Sequence, residues 1–235
     1  MRKILSIGAI LTLAISLVAC SFTTTVTDDS PVVTKAYDLK DFHGVLAGGA
    51  VKIVYVQDSV YSVKIKASEN TLEKLEVEVK DSILCVKHKE GSNHVTLFGK
   101  NAGTLGDITL YLSTPDLTEV HMAGAGKFTC DGTIDTDTLD IEVAGAADVY
   151  IKKLVCDETY ASIAGAGKFR LPDVTADLLD CSIAGAGKMV ANGNIGKVKK
   201  SIAGAGKIVV NGERVTTLGA RHDADDDDDD DEDDD

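Results

Sequence analysis

From residue 117 onward, apolar and polar residues alternate with a period of two, in short blocks broken by runs of alanine and glycine. Before each break the alternating positions are Val120/Met122, Ile141/Val143, Ala161/Ile163, Cys181/Ile183 and Lys200/Ile202. His121, Glu142, Ser162, Ser182 and Ser201 lie between them. After each break come Phe128/Cys130, Val149/Ile151, Phe169/Leu171, Met189/Ala191 and Ile208/Val210. Period two with one apolar face is the pattern of a half-buried strand. Each unit therefore predicts a strand, a flat small-residue segment and a second strand. Asp131-Gly132, Asn192-Gly193 and Asn211-Gly212 read as turns that follow.

The break itself repeats. Met122-Ala-Gly-Ala-Gly-Lys127 returns at Ile163 to Lys168, Ile183 to Lys188 and Ile202 to Lys207, with a degenerate copy at Val143 to Asp148. The alanines that open the copies, Ala123, Ala144, Ala164, Ala184 and Ala203, are 21, 20, 20 and 19 residues apart. That period is too short for a propeller blade and suits one coil of a solenoid. The expectation is an all-β fold, a parallel β-helix with one strand layer per wall and coils of about 20 residues. Coils stacked at about 4.7–4.9 Å would align the apolar positions in interior columns, giving five copies a length of roughly 24 Å. Lys200 interrupts an inward column, and a bulge or a place at the end of the rod is expected to turn it outward. The glycines suit a corner that needs positive φ and close backbone approach. A phosphate-binding glycine loop is excluded, because that loop opens a helix, whereas here a second strand follows every time.

Residues 36 to 112 are strand-like but less regular. Val51 to Gln57, Tyr61 to Ala67, Leu75 to Lys80, Ile83 to His88 and Asp107 to Leu112 read as short strands, with turns at Asp58-Ser59 and Asp81-Ser82. Glu69 to Lys74 suits one helical turn, and Leu46-Ala-Gly-Gly-Ala50 looks like a worn copy of the break, which places this half in the same solenoid.

These segments carry a family resemblance. Phe42 to Val51, Val63 to Ala67 with Glu69-Asn70, Leu75 to His88, Leu112-Ser-Thr-Pro-Asp-Leu117 and the Ala-Gly-Ala-Gly ladder resemble the auto-transporter adhesin head, or GIN, domain over about residues 36 to 215. The resemblance implies a right-handed β-helix and a role in adhesion. It supplies no catalytic motif, so no functional residue is carried over.

Charge and composition add two appendages. The chain has 235 residues, with 38 acidic against 24 basic and a net charge of −14. Twelve of the acids lie in the run Asp223–Asp235, which leaves 26 acids against 24 bases elsewhere. The body is nearly neutral and shows no basic patch with interleaved aromatics, so nucleic acid is not expected as a partner. Such an acidic run buries no apolar surface and reads as a self-repelling tail that gathers calcium weakly. At the other end, Arg2 and Lys3 precede the apolar run Ile4 to Val18, which is short for a membrane span and has the flanks of an export signal. It closes on Leu17-Val18-Ala19-Cys20, which resembles a bacterial lipobox and makes Cys20 the expected site of lipidation. Ser21 in place of aspartate favours the outer membrane in that sorting pattern. The expected organisation is a signal peptide over 1–19, a lipidated N-terminus and tether over 20–35, a β-helix over 36–215 and a disordered acidic tail over 216–235.

Candidate chemistry is sparse. Cys85, Cys130, Cys156 and Cys181 form no CxxC, and Cys130 and Cys181 fall in different columns about 14 Å apart by coil spacing. That exceeds the roughly 7 Å a disulfide allows, so buried free thiols are expected. His43, His88, His94, His121 and His222 make no zinc motif. His121 heads a polar column with Glu142 and three serines, but a flat face offers no oxyanion donors for a triad. Asp131, Asp135, Asp137 and Asp140 cluster in sequence, with turn solvation or weak cation binding as the alternatives. The residues closing the breaks, Lys127, Asp148, Lys168, Lys188 and Lys207, form the one candidate ligand ladder. Asp148 relieves the repulsion of lysines stacked at strand spacing. The ladder offers an anionic glycan a line of cations; a solvated edge is the plainer account. No catalytic residue, cofactor or metal site is expected. The function read from the sequence is a membrane-anchored, non-enzymatic binding module or adhesin with a glycan or protein ligand. The alternatives are a structural envelope spacer and, less well supported, a carbohydrate-active β-helix enzyme.

Overall fold

The computed structural model describes residues 30–89 and 108–216. Sixteen strands and one short helix follow in chain order: β1 (Val32–Tyr37), β2 (Gly44–Gly48), β3 (Val51–Gln57), β4 (Ser62–Ser68), α1 (Glu69–Glu73), β5 (Leu75–Lys80), β6 (Ile83–His88) and β7 (Ile108–Thr114). The repeat region supplies β8 (Glu119–Gly124), β9 (Lys127–Asp135), β10 (Thr138–Gly145), β11 (Asp148–Val155), β12 (Glu158–Gly165), β13 (Lys168–Gly185), β14 (Lys188–Gly204), β15 (Lys207–Val210) and β16 (Glu213–Thr216). Together they wind into a β-solenoid of about 5 turns with coils of about 20 residues.

The repeat stacks in register, break on break. Ala144 pairs with Ala123 and with Ala164, Ala184 with Ala164 and with Ala203. Inward residues of both walls are buried as the alternation requires, among them Val120, Ile141, Ile163, Phe128, Val149 and Phe169. A third set of columns closes the coil, with Ile134, Leu154 and Val174 buried behind the other two walls. Aromatics are few, yet Tyr55 stacks on Phe128 with ring centroids 6.0 Å apart, both fully buried in the core.

The first glycine of each break explains why the motif is kept. Gly124, Gly145, Gly165, Gly185 and Gly204 have φ between 121° and 135°. A Cβ on Gly165 would lie 2.2 Å from the carbonyl oxygen of Gly145 in the coil below. Both the backbone conformation and the stacking therefore forbid a side chain there. The second glycine is less constrained: Ala147 occupies it in one coil and is fully buried.

The less regular half belongs to the solenoid, in an order the chain does not follow. β2 pairs with β8 and β3 with β9, which sets Gly48 on Ala123 and Lys52 on Lys127. The next layer outward is β6 on β2 and β7 on β3. The chain thus lays down an inner coil, crosses to the end through β4, α1 and β5, and returns beneath it with β8. The walls are parallel, but antiparallel strands finish them: β4 on β7, β1 on β4, β5 on β6, and β16 on β15. Such antiparallel strands occupy edges that would otherwise template another chain. β1 begins at Val32, inside the stretch read as tether, and the single helical turn expected at residues 69–74 is α1, capped by the Ser68 side chain on the Thr71 N–H.

Several local expectations need correction. Asp131-Gly132 and Asn192-Gly193 are not chain reversals; they lie within β9 and β14, at corners where the parallel ladder shifts register and then resumes, opposite Lys152 in the first case and Pro172-Asp173 in the second. Asn211-Gly212 is a true turn, between β15 and β16, with φ of 49° and 84°. Lys200 does not turn outward. It keeps its place beside Cys181 in the inward column of the last coil, its side chain only 15% exposed, with Nζ 4.0 Å from Glu213 Oε2. The end of the rod gives the ammonium a way out, so no bulge is needed there. The shortened spacing is absorbed elsewhere, by a register shift between Leu171 and Val174.

Where a ladder runs out, two side-chain amides replace a missing peptide. Gln57 accepts from the Asp135 N–H at 2.7 Å and donates to the Asp135 carbonyl at 2.7 Å. Asn211 does the same for Gly193, at 2.8 and 3.1 Å.

Candidate functional site

Five ladder residues predicted to share a column do share one. Asp148 stands in register between Lys127 and Lys168, Lys168 pairs with Lys188 and Lys188 with Lys207. Their positions alternate with inward Phe128, Val149, Phe169 and Met189, so the row faces out by the pleat. Asp148 closes no ion pair within 4.0 Å to either neighbour among the described residues. The row is also longer than the repeat. Lys52 extends it beyond Lys127, and Thr109 and Lys66 extend it across β7 and β4. Aligning Ala47 to Lys52 with Met122 to Lys127 is the sequence signal that finds Lys52; nothing in the sequence places Lys66, which arrives by antiparallel pairing.

A second outward row runs beside the first, two residues along each strand: Lys64, Tyr111, Val54, Thr129, Tyr150 and Arg170. Arg170 lies over the Tyr150 ring, 5.8 Å from its centroid. Tyr111 is exposed. Between the two rows Lys52, Val54, Lys127, Thr129, Asp131, Tyr150 and Arg170 line an open depression of about 500 Å³. Cations flanking an aromatic surface in a shallow trough suit an extended anionic ligand that lies across several coils. The cations of the first row come from strands about twenty residues or more apart in the chain, so a basic patch that the sequence did not show forms only when the coils stack.

The preceding wall has the opposite character. Its outward rows place Glu119 and His121 on Asp140 and Glu142, then Tyr160 and Ser162, then Asp180 and Ser182. The His121 ring nitrogens lie 3.1 Å from Glu119 Oε2 and 3.1 Å from Glu142 Oε2. Partial burial pulls the His121 pKa down, but the two carboxylates outweigh it and hold the imidazolium above the ordinary histidine value. Burial, then the like charge of Glu142, raises the Asp140 carboxyl. Ser162 and the later serines in the column bring no base and no oxyanion donors. The near-neutral body is therefore a polarised one, basic on one wall and acidic on another.

The remaining candidates scatter. Asp131 edges the basic trough, whereas Asp140 lies on the acidic wall, so the four aspartates adjacent in sequence do not converge; no cluster suited to a metal ion occurs among the described residues. Cys130, Cys156 and Cys181 are buried free thiols, and burial pushes the last two up to about 11 and about 12. Cys85 is only half-buried, a departure from the expectation, because it faces out on β6 toward Glu78. His43 bonds the Thr118 hydroxyl at 2.8 Å, and His88 is elsewhere. Cys20, His94, His222 and the Asp223–Asp235 run lie outside the described residues.

Comparisons with known proteins agree with this architecture. The model of the family "Putative auto-transporter adhesin, head GIN domain" matches residues 41–225, and the chain belongs to that family. A crystal structure of a "putative adhesin" from Bacteroides fragilis is similar with a TM-score of 0.51 and 21% identity, covering 77% of this chain and 97% of that one. A "putative lipid binding protein" from Parabacteroides distasonis aligns with a TM-score of 0.41 and 16% identity, covering 78% and 97%. The likeness to the first is one of fold. No curated protein matches the chain.

Proposed function

We propose that this member of the adhesin-head family is a lipid-anchored envelope protein, held at the outer membrane through Cys20, whose solenoid binds an extended anionic glycan along its basic wall. The observation that carries this reading is the line Lys52, Lys127, Lys168, Lys188 and Lys207, interrupted by Asp148 alone and without an ion pair among the described residues, with Arg170 and Tyr150 beside it. Stacked like charges at strand spacing are unfavourable to the fold, so they need a compensating partner. A polyanion supplies one at each step, and the tyrosine faces offer sugar rings a flat apolar surface. A structural spacer would have no use for that segregation of charge. The non-enzymatic reading is supported by the trough itself: Asp131 is its one carboxylate, where glycoside hydrolysis needs a facing pair.

The test is retention of the purified protein on immobilised polygalacturonate and on a neutral glucan at physiological ionic strength. Lys127→Gln combined with Lys168→Gln removes both cations without stacking like charges on Asp148, and should abolish retention on the polyanion while leaving the melting temperature nearly unchanged. Equal retention of wild type and variant would refute the assignment of this wall. Cys20→Ser tests the anchor separately, through loss of acyl labelling and of membrane retention.

A further inference from the structure

The chain carries its own polyanion close to this wall. β16 ends at Thr216, paired with Lys207, so the chain leaves the described structure at one end of the lysine line. Asp223–Asp235, with 12 acidic residues in 13, follows seven residues later. We propose that this acidic run folds back on the basic wall of its own chain and lies along the line from Lys207 to Lys52.

Reach permits it. Seven residues span up to about 23–25 Å, and the 13 residues of the run up to about 43–47 Å. The line from Lys207 to Lys52 is five strand steps, about 24 Å in length. Charge selects the wall. Lys52, Lys127, Lys168, Lys188, Lys207 and Arg170 face the run against Asp148 alone in the two rows, while Glu119, Asp140, Glu142 and Asp180 on the other wall repel it. Of the cations near the exit, Lys199 already faces Asp180 at 3.9 Å and Lys200 faces Glu213 at 4.0 Å. Tethering presents the run to the wall at an effective concentration on the order of 1 mM, and a run that binds in trans at about 0.1 mM would then weaken a competing polyanion about tenfold. Because the Debye length is about 8 Å at physiological salt and 3 Å at 1 M, the contact should form in the first condition and fail in the second. Only the competition rests on the proposed glycan reading; the docking does not.

The experiment uses the full chain. Zero-length carbodiimide cross-linking at low protein concentration, followed by peptide mapping, should join the run to Lys52, Lys127, Lys168, Lys188 and Lys207 within one molecule, and these links should fade in 1 M salt. Links confined to Lys197, Lys199 and Lys200, links only between molecules, or none at all would overturn the proposal. In parallel, a variant with all twelve acidic residues of Asp223–Asp235 replaced by Asn or Gln should bind polygalacturonate about tenfold more tightly. A synthetic peptide of residues 221–235 should shift wall amides in the NMR spectrum of that variant and displace the polyanion. Wall links with no polyanion binding by either form would uphold the docking and sink the glycan reading. Polyanion binding unaffected by the run, with no wall links, would do the reverse.

Discussion

The glycines permit a separation of two effects that are usually confounded, backbone strain and steric stacking. At Gly165 both operate: φ is 135°, and an added Cβ would meet the Gly145 carbonyl oxygen at 2.2 Å. At Gly212 only the first does, with φ of 84° and nothing within 4 Å. At Gly167 only the second does, with the Ala147 carbonyl oxygen at 2.7 Å, and at Gly132 neither. Holding alanine in a glycine-only conformation costs about 1–3 kcal/mol. Relief of a 2.2 Å contact needs the coils to part by about an ångström, which also breaks the Ala166 N–H bond to the Gly145 carbonyl, 2.8 Å long. A lost backbone bond adds about 1 kcal/mol, and loosened packing between coils adds more. Gly165→Ala should therefore lose about 3–5 kcal/mol, a large share of the 5–15 kcal/mol typical of a domain. Gly212→Ala should lose about 1–2 kcal/mol. Gly167→Ala should cost about 1–2 kcal/mol, since Ala147 shows that a coil adapts to a methyl group there. Gly132→Ala should be neutral or stabilising by about 0.5 kcal/mol through the unfolded chain. Urea denaturation followed by far-UV circular dichroism measures all four. If Gly165→Ala proved as stable as Gly132→Ala, the account of coil stacking given above would be wrong.

Three further outcomes are expected. Ile183→Asp puts a carboxylate between Ile163 and Ile202 and should destabilise by more than the 1.5–3 kcal/mol or so of lost burial, whereas Ser182→Asp on the outward face should be mild; equal melting temperatures would contradict the register. Cys130, Cys156 and Cys181 should resist a disulfide reagent at pH 8 in the native protein and react once unfolded, because burial raises all three thiols; prompt stoichiometric labelling of the native state would refute their burial. His121 binds its proton more tightly folded than unfolded, so its contribution to stability is complete below the unfolded pKa of about 6.5 and lost as pH rises through the folded value. His121→Gln should accordingly lower the melting temperature at pH 5.5 and leave it nearly unchanged at pH 9, and a deficit of the same size at both pH values would show that the Glu119 and Glu142 contacts carry no linkage.

The repeat region was legible because a solenoid is nearly one-dimensional: an interior column is a sequence spacing, and period two assigns each side chain to a face. Val120, Ile141, Phe128 and Phe169 needed no tertiary information to be placed inside, nor did Lys127, Asp148 and Lys168 to be placed in one outward row. The first glycine of each break was legible for the same reason, since one corner recurs in every coil. What the sequence could not determine is the order in which unlike coils stack. β2 and β3 sit between the β6–β7 layer and β8–β9 although β6 and β7 come later in the chain, because pairing energy depends on neighbours in space and not on chain order. That layer brings Lys52 into the lysine row, and antiparallel β4 adds Lys66 and Lys64. The separation of charge followed from the same assembly. A composition with nearly equal acids and bases outside the tail is silent about faces; only closing the coil sends Glu119 and Asp140 to one wall and Lys127 and Arg170 to another.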